Sequence, residues 1–222
     1  MIYILDYGAG NLKSAYHAFK SNHNDTVLID HISRLQNNVT GLVLPGDGSF
    51  PYAYHTLQKR GFVSFLRQNH AIPLLGICVG FQLLFSASTE DGGCEGLNLI
   101  KGKVVRFEQQ KPYKIPHMGW NNILLKQQTP CTRGITDHDY FYFVHSYYPK
   151  DVDSKAVLMQ TSYISSFCAA VHKKNIYGFQ FHPEKSHTKG MLIIKNFINI
   201  CNRYQKQQKT LSKSGSGENS AH

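Results

Sequence analysis

IPLLGICVGFQLLF, residues 72–85, decides the fold. It is apolar from Ile72 to Ile77, breaks at a cysteine between two glycines, and is apolar again to Phe85. A buried strand over 72–77 followed by a helix over 79–88 accounts for this pattern. The spacing G-x-C-x-G is the cysteine form of the nucleophile elbow, a sharp strand-to-helix turn. Gly76 and Gly80 leave room where strand and helix approach. Cys78 then stands at the carboxyl end of a strand, where open α/β sheets gather their ligands. Backbone N–H groups near Val79 at the helix start favour a thiolate and can hold an oxyanion. The same residues also fit a small buried thiol beside two helix-packing glycines. The elbow therefore needs a base to acquire meaning.

The segments before it alternate in the same way. IYILD (2–6), TVLID (26–30) and GLVLPGDG (41–48) read as strands. NLKSAYHAFKSN (11–22) has helical spacing, and PYAYHTLQKRGFVSFLRQN (51–69) reads as one or two helices interrupted at Gly61. Apolar strands alternating with helices predict an α/β fold, an open doubly wound, mostly parallel sheet with helices on both faces, in flavodoxin-like layers. After residue 100 the segments VVRFE, NNILL, YFYFVHSYY, AVLMQTSY, FCAAVH and IYGFQFH read as added antiparallel strands extending the sheet. MLIIKNFINICNRY (191–204) reads as a closing helix. Residues 1–204 are thus expected to form one domain. Residues 205–222, rich in Lys, Gln and Ser, are expected to form a disordered tail.

At 222 residues the chain suits a single α/β domain, and its 41% hydrophobic and 17% charged residues fit a soluble globular protein. No apolar stretch approaches the roughly 20 residues that cross a bilayer. The N-terminal MIYILDYGAGN lacks a basic region and reads as a first strand, not a signal peptide. Five cysteines, odd in number and without a C-x-x-C pair, argue against a disulfide framework or zinc finger and for a reducing, cytoplasmic setting. The net charge of +10 is concentrated partly in the C-terminal segment, so neither nucleic acid nor membrane is expected as a partner.

FQFHPEKS (179–186) supplies a base. His182 and Glu184 lie two apart in a segment that Pro183 is expected to hold extended, which puts both side chains on one side. A carboxylate there orients the imidazole and stabilises its protonated form. A surface histidine in a turn is the plainer reading. His117 and His145 have no acid two residues away and read as structural or pocket-lining. His182 and His187, five apart, lack further ligands at metal spacing, so no metal is expected. LVLPGDGSF (42–50) adds a Pro-Gly-x-Gly turn after a strand. Its glycines, Gly46 and Gly48, permit a peptide flip and free N–H groups beside Cys78. An ordinary tight turn fits that stretch as well.

Taken together, PGDGSF, GICVGFQLL and GFQFHPEKS, in this order, resemble the triad-type (class I) glutamine amidotransferases. The resemblance implies Cys78 as nucleophile, His182 as base and then acid, and Glu184 as its orienter, hydrolysing glutamine without cofactor or metal. It implies that Gln82 helps hold glutamine and that Gly46, Asp47, Gly48 and Val79 form the oxyanion elements. DYGAGNLKS (6–14), KIPHMGWN (114–121) and YFVHSYY (142–148) further resemble the glutaminase subunits of imidazole glycerol phosphate synthases, up to about residue 200. By that resemblance His145, Ser146 and Tyr147 line the glutamine pocket. Asn11, Trp120 and Lys185 face a (β/α)8-barrel cyclase subunit that receives the ammonia in a heterodimer. The chain departs from the family's usual PGVG turn with PGDGS, and Asp47 is expected to face outward, because an acid beside an oxyanion is unfavourable. These departures keep open a paralogue feeding another acceptor, such as a sugar amination system in surface-polysaccharide synthesis. Two rivals of a different class are a stand-alone γ-glutamyl hydrolase and a catalytically silent binding module.

Overall fold

Alternation along each central strand sends side chains into two separate cores. In β1 (Ile2–Leu5), Ile2 and Ile4 pack on one face and Tyr3 and Leu5 on the other. In β3 (Gly41–Leu44), Val43 points opposite to Leu42 and Leu44, and in β4 (Leu74–Ile77) Leu74 points opposite to Leu75. Both faces are apolar, so both must be covered, and helices from the intervening crossovers cover them.

The computed structural model describes residues 1–8 and 10–215. Among these, the remaining elements in chain order are α1 (Leu12–Lys20) and β2 (Thr26–Ile29), then α2 (Phe50–Lys59) and α3 (Phe62–Gln68) between β3 and β4. After β4 come α4 (Val79–Gln82), β5 (Ala87–Ser88), β6 (Cys94–Glu95), β7 (Lys103–Arg106), β8 (His117–Asn122) and β9 (Leu124–Leu125). The chain continues with β10 (Tyr140–His145), β11 (Tyr147–Lys150), β12 (Val157–Ser162), β13 (Ser166–Lys173), β14 (Ile176–Phe179) and α5 (His187–Gly215). The main sheet runs β2-β1-β3-β4-β14-β13-β12-β9. Its first five strands are parallel, and β13, β12 and β9 extend it antiparallel. Residues from α2 and α3 (Phe50, Tyr54, Leu57, Phe62, Leu66) fill one core. Phe19 of α1 and Ile193, Ile194 and Phe197 of α5 fill the other.

The doubly wound reading is thus met, with refinements. The strand in IYGFQFH, expected among the antiparallel additions, is β14 and runs parallel to β4 inside the main sheet. Two further sheets, β10-β8 and β11-β7-β5-β6, stand beside the main one. The helix expected over 79–88 is only one turn, α4, because the carbonyls of Leu83, Leu84 and Phe85 accept from the N–H groups of Leu97, Asn98, Leu99 and Ile100. The closing helix, in contrast, passes residue 204 and reaches Gly215. That first part of the expected disordered tail is helical, and the remainder, 216–222, lies outside the described residues. Among the described residues no helix is long and apolar enough to cross a membrane.

Candidate active site

The order β1-β3-β4-β14 places four parallel strand ends side by side, and each carries a piece of one site. Past β1 comes Tyr7 to Asn11, past β3 the turn 45–48, past β4 Cys78, and past β14 Gln180 to Glu184. Register between β4 and β14 pairs Ile77 with Phe179, which brings the two chain ends out together. The Cys78 N–H donates to the Phe179 carbonyl at 2.8 Å and locks this junction.

Cys78 occupies φ 53°, ψ −107°, a left-handed conformation that costs a non-glycine residue on the order of 1–3 kcal/mol. The elbow holds because strand and helix nearly touch. A Cβ on Gly76 would lie 2.6 Å from the Gly80 carbonyl oxygen, and one on Gly80 would collide with the Leu44 carbonyl. The sulfur is almost wholly buried, and Gln180 Nε2 donates toward it at 3.9 Å.

His182 Nδ1 and Glu184 Oε1 are 2.8 Å apart. Pro183 does not hold this segment extended. Residues Pro183–Lys185 form a single 3-10 turn, closed by Lys185 N–H to the His182 carbonyl at 3.0 Å and by the Ser186 hydroxyl on the same carbonyl. Proline's fixed φ suits the first position of such a turn. The expected pairing is present, reached through a turn. Asn11, itself at φ 59°, donates from Nδ2 to the same Glu184 oxygen at 2.6 Å. Asn11, expected toward a partner, thus helps hold the acid. Burial works to lower the His182 pKa, but the neighbouring Cys78 and Glu184 outweigh it and raise it to about 10.

Asp47 does not face outward. Its Oδ1 lies 3.3 Å from His182 Nε2, and its Oδ2 lies 3.8 Å from Lys185 Nζ. Two groups able to carry positive charge draw the carboxylate inward. The turn itself is tied at Pro45, Gly46 and Asp47. Tyr7 donates its hydroxyl to the Pro45 carbonyl, Gly10 and Asp47 exchange backbone hydrogen bonds at 3.0 and 3.3 Å, and Val79 N–H donates to the Gly46 carbonyl at 3.3 Å. In this conformation the Val79 N–H expected for an oxyanion is occupied, and Gly46 presents its oxygen.

Cys78 opens into a cavity of about 410 Å³ lined also by Asp47, Gly48, Val79, Gln82 and Glu90. Tyr142, Val144, His145, Ser146, Tyr147 and Lys185 complete the wall. Trp120 lies apart from it, half exposed and stacked on His187 with centroids 4.9 Å apart. Three larger clefts, of about 670, 610 and 710 Å³, have no cysteine in their linings. Chemistry therefore favours the smaller cavity. Beneath its wall runs a chain of neutral groups. His145 Nδ1 meets the Tyr147 carbonyl at 2.8 Å, so it carries the proton, and its Nε2 accepts from His117 Nδ1 at 3.0 Å. Asn121 Nδ2 completes the chain at His117 Nε2, 3.3 Å away. Burial lowers His117 to about 4 and His145 to about 3, so both stay uncharged near neutrality. Gln82 Nε2 donates to the Tyr147 carbonyl at 2.9 Å and to Gln180 at 3.1 Å. The arrangement offers a nucleophile, an oriented base and a small polar pocket with a carboxylate, Glu90, at its wall. Sequence reasoning did not single out Gln180, Glu90, Tyr142 or Val144. For Gln180 the signal was a polar residue between Phe179 and Phe181 in a buried strand end.

The chain matches the family model described as glutamine amidotransferase class-I over residues 3–201. It is 43% identical over 206 residues to imidazole glycerol phosphate synthase subunit HisH of a Geobacillus species, covering 90% of this chain and 97% of that one. It is 40% identical over 205 residues to the subunit named HisH 2 in Pseudomonas aeruginosa, covering 90% and 100%. In fold it is similar to a Thermoplasma acidophilum crystal structure described as a GMP synthase subunit, with TM-score 0.72 and 24% identity over 94% of this chain and 96% of that one. A crystal structure described as a glutamine amidotransferase gives TM-score 0.70 at 15% identity, over 90% and 98%.

Proposed function

Because this chain belongs to the class-I glutamine amidotransferase family, we propose that it is the glutaminase subunit of an imidazole glycerol phosphate synthase. It hydrolyses glutamine to glutamate and ammonia and delivers the ammonia to a (β/α)8-barrel cyclase in histidine biosynthesis. One observation carries the reading. Cys78, His182 and Glu184 meet at adjacent strand ends, with the sulfur opening into a cavity lined by Gln82, Glu90 and His145.

In this reading the Cys78 proton passes to His182 and the thiolate attacks the amide carbon. Backbone N–H groups of Val79 and the 46–48 turn hold the oxyanion, His182 protonates the departing nitrogen, and ammonia leaves. Water, deprotonated by His182, then cleaves the thioester and releases glutamate. The Glu90 carboxylate suits the substrate's α-ammonium group. The Gly46 carbonyl must first release Val79, so the peptide between Gly46 and Asp47 turns over when the hole opens.

The partner docks on the β8–β10 ribbon. Pairing of Trp120 with Tyr142 and of Met118 with Val144 puts these side chains on one face. Met118, Trp120 and Tyr140 are exposed there, while Tyr142 and Val144 continue the face into the Cys78 cavity. The five cysteines are unpaired among the described residues, in keeping with work in the cytoplasm.

A second acceptor remains a distinct reading. The PGDGS turn and relatives named as second copies, such as HisH 2 of Methanococcus maripaludis at 41% identity, support it. Co-purification with a barrel-type synthase and identification of the aminated product decides between them. Imidazole glycerol phosphate supports the first, and an aminated sugar the second.

A further inference from the structure

We propose that Asp47, Cys78 and His182 form a binding site for one zinc ion. One donor atom from each lies within 4.8 Å of the other two. Sulfur, imidazole nitrogen and carboxylate oxygen form a donor set that suits zinc and suits magnesium or calcium poorly. Asp47 Oδ1 and His182 Nε2 stand 3.3 Å apart. Two such ligands, each about 2.0–2.1 Å from a tetrahedral zinc, are separated by about 3.3–3.4 Å. Despite that approach, among the described residues neither atom has a hydrogen-bond partner. Hydrogen-bonded groups point at one another, whereas two ligands of one ion point at a common third position. The His182 side chain is 0% exposed, so bulk water does not satisfy its nitrogen.

The surroundings fit as well. Glu184 holds His182 Nδ1 at 2.8 Å and is itself held by Asn11, the outer-shell arrangement that orients a zinc-bound imidazole. Lys185 faces the other Asp47 oxygen, Oδ2, and leaves Oδ1 to the ion. Asp47 and Cys78 both line the cavity, so a fourth position opens to water. Binding displaces to solvent the proton that Cys78 and His182 share, which leaves a thiolate and a neutral imidazole as ligands. Spacing along the chain could not reveal this set, because three separate strand ends assemble it. The site stands on donor geometry alone. Only its consequence, that an ion on Cys78 and His182 silences the glutaminase, rests on the proposed function.

The test is a titration of metal-free full-length protein with Co2+ alone, followed by displacement with Zn2+. The expected result is saturation at one ion per chain, with tetrahedral d–d absorption and a sulfur-to-cobalt charge-transfer band. Cys78→Ala removes the charge-transfer band. Asp47→Val and the near-isosteric Asp47→Asn each weaken cobalt binding by on the order of 10–100-fold or more. Unchanged cobalt affinity in both Asp47 variants, or a spectrum that survives Cys78→Ala, overturns the proposal. Absence of glutamine hydrolysis does not bear on this readout, so the two readings fail separately.

Discussion

Asp47 and His182 come together at the Cys78 cavity, carboxylate Oδ1 3.3 Å from imidazole Nε2. The carboxylate stabilises a protonated His182, but in the proposed reaction it also repels the negative charge that develops on the substrate carbonyl. Glu184 already serves as counter-ion to His182, so the repulsion decides the balance. Asp47→Asn is therefore expected to raise glutamine turnover by on the order of tenfold, ~1.4 kcal/mol of barrier. Steady-state glutamate release with a chelator present measures this, and a variant no faster than the parent contradicts it.

Asn11 reaches Glu184 from the far side of the site at 2.6 Å. Hydrogen bonds to charged groups contribute about 1.5–3 kcal/mol. Asn11→Ala loosens the acid that orients His182 and is expected to lower kcat by on the order of 10–100-fold. Asn11 does not line the cavity, so KM should hold. A rise in KM with kcat intact would mean that Asn11 shapes the pocket instead.

The left-handed backbone of Cys78 separates two variants that both remove the proposed nucleophile. Glycine adopts φ 53° without strain and alanine does not. Cys78→Gly is expected to be more stable than Cys78→Ala by about 1 kcal/mol, the reverse of the order in a helix. Thermal denaturation of the two proteins side by side reads the difference. A more stable alanine variant would show the elbow to be relaxed.

His117 and His145 give the stability a pH dependence. Both are depressed by burial, to about 4 and about 3, from an unfolded value near 6.5. Above pH 6.5 neither folded nor unfolded chain binds a proton there, and stability is level. Below it the unfolded chain is protonated first, so stability falls from pH 6.5 until the folded pKa values are passed. Each depressed unit is worth ~1.4 kcal/mol. His117→Asn, whose amide nitrogen can take the place of Nδ1, is expected to flatten the decline of Tm between pH 6.5 and 4. An equally steep decline would assign the acid sensitivity elsewhere.

Much of this was legible in residues 72–85, 41–50 and 178–186. Glycine spacing reports the elbow because the clash it avoids is local, and a parallel sheet covered on both faces follows from uninterrupted apolar runs. What stayed hidden was set at long range. The helix after Cys78 stops early because residues 97–100 capture its carbonyls, and no periodicity within 79–88 carries that information. The helix beyond 204 has a single large apolar residue, Leu211, so it lacks the apolar stripe by which helices are recognised, although Gln and Lys favour it. Repulsion from an oxyanion, taken alone, turns Asp47 outward. His182 and Lys185, more than 130 positions away in the chain, reverse its direction. Asn11 as a tether of Glu184 could not be foreseen from spacing, since the contact spans 173 positions.

The hydrogen bond from Val79 to Gly46 makes the resting protein its own competitive stand-in. In the proposed reaction, that main-chain oxygen holds the donor which the substrate's carbonyl would need. Idle turnover of glutamine is then governed by how often that oxygen swings away unaided, and the ratio of unassisted to assisted rates reports the rarity of that excursion. Whatever docks nearby accelerates hydrolysis only to the degree that it prefers the swung-away form.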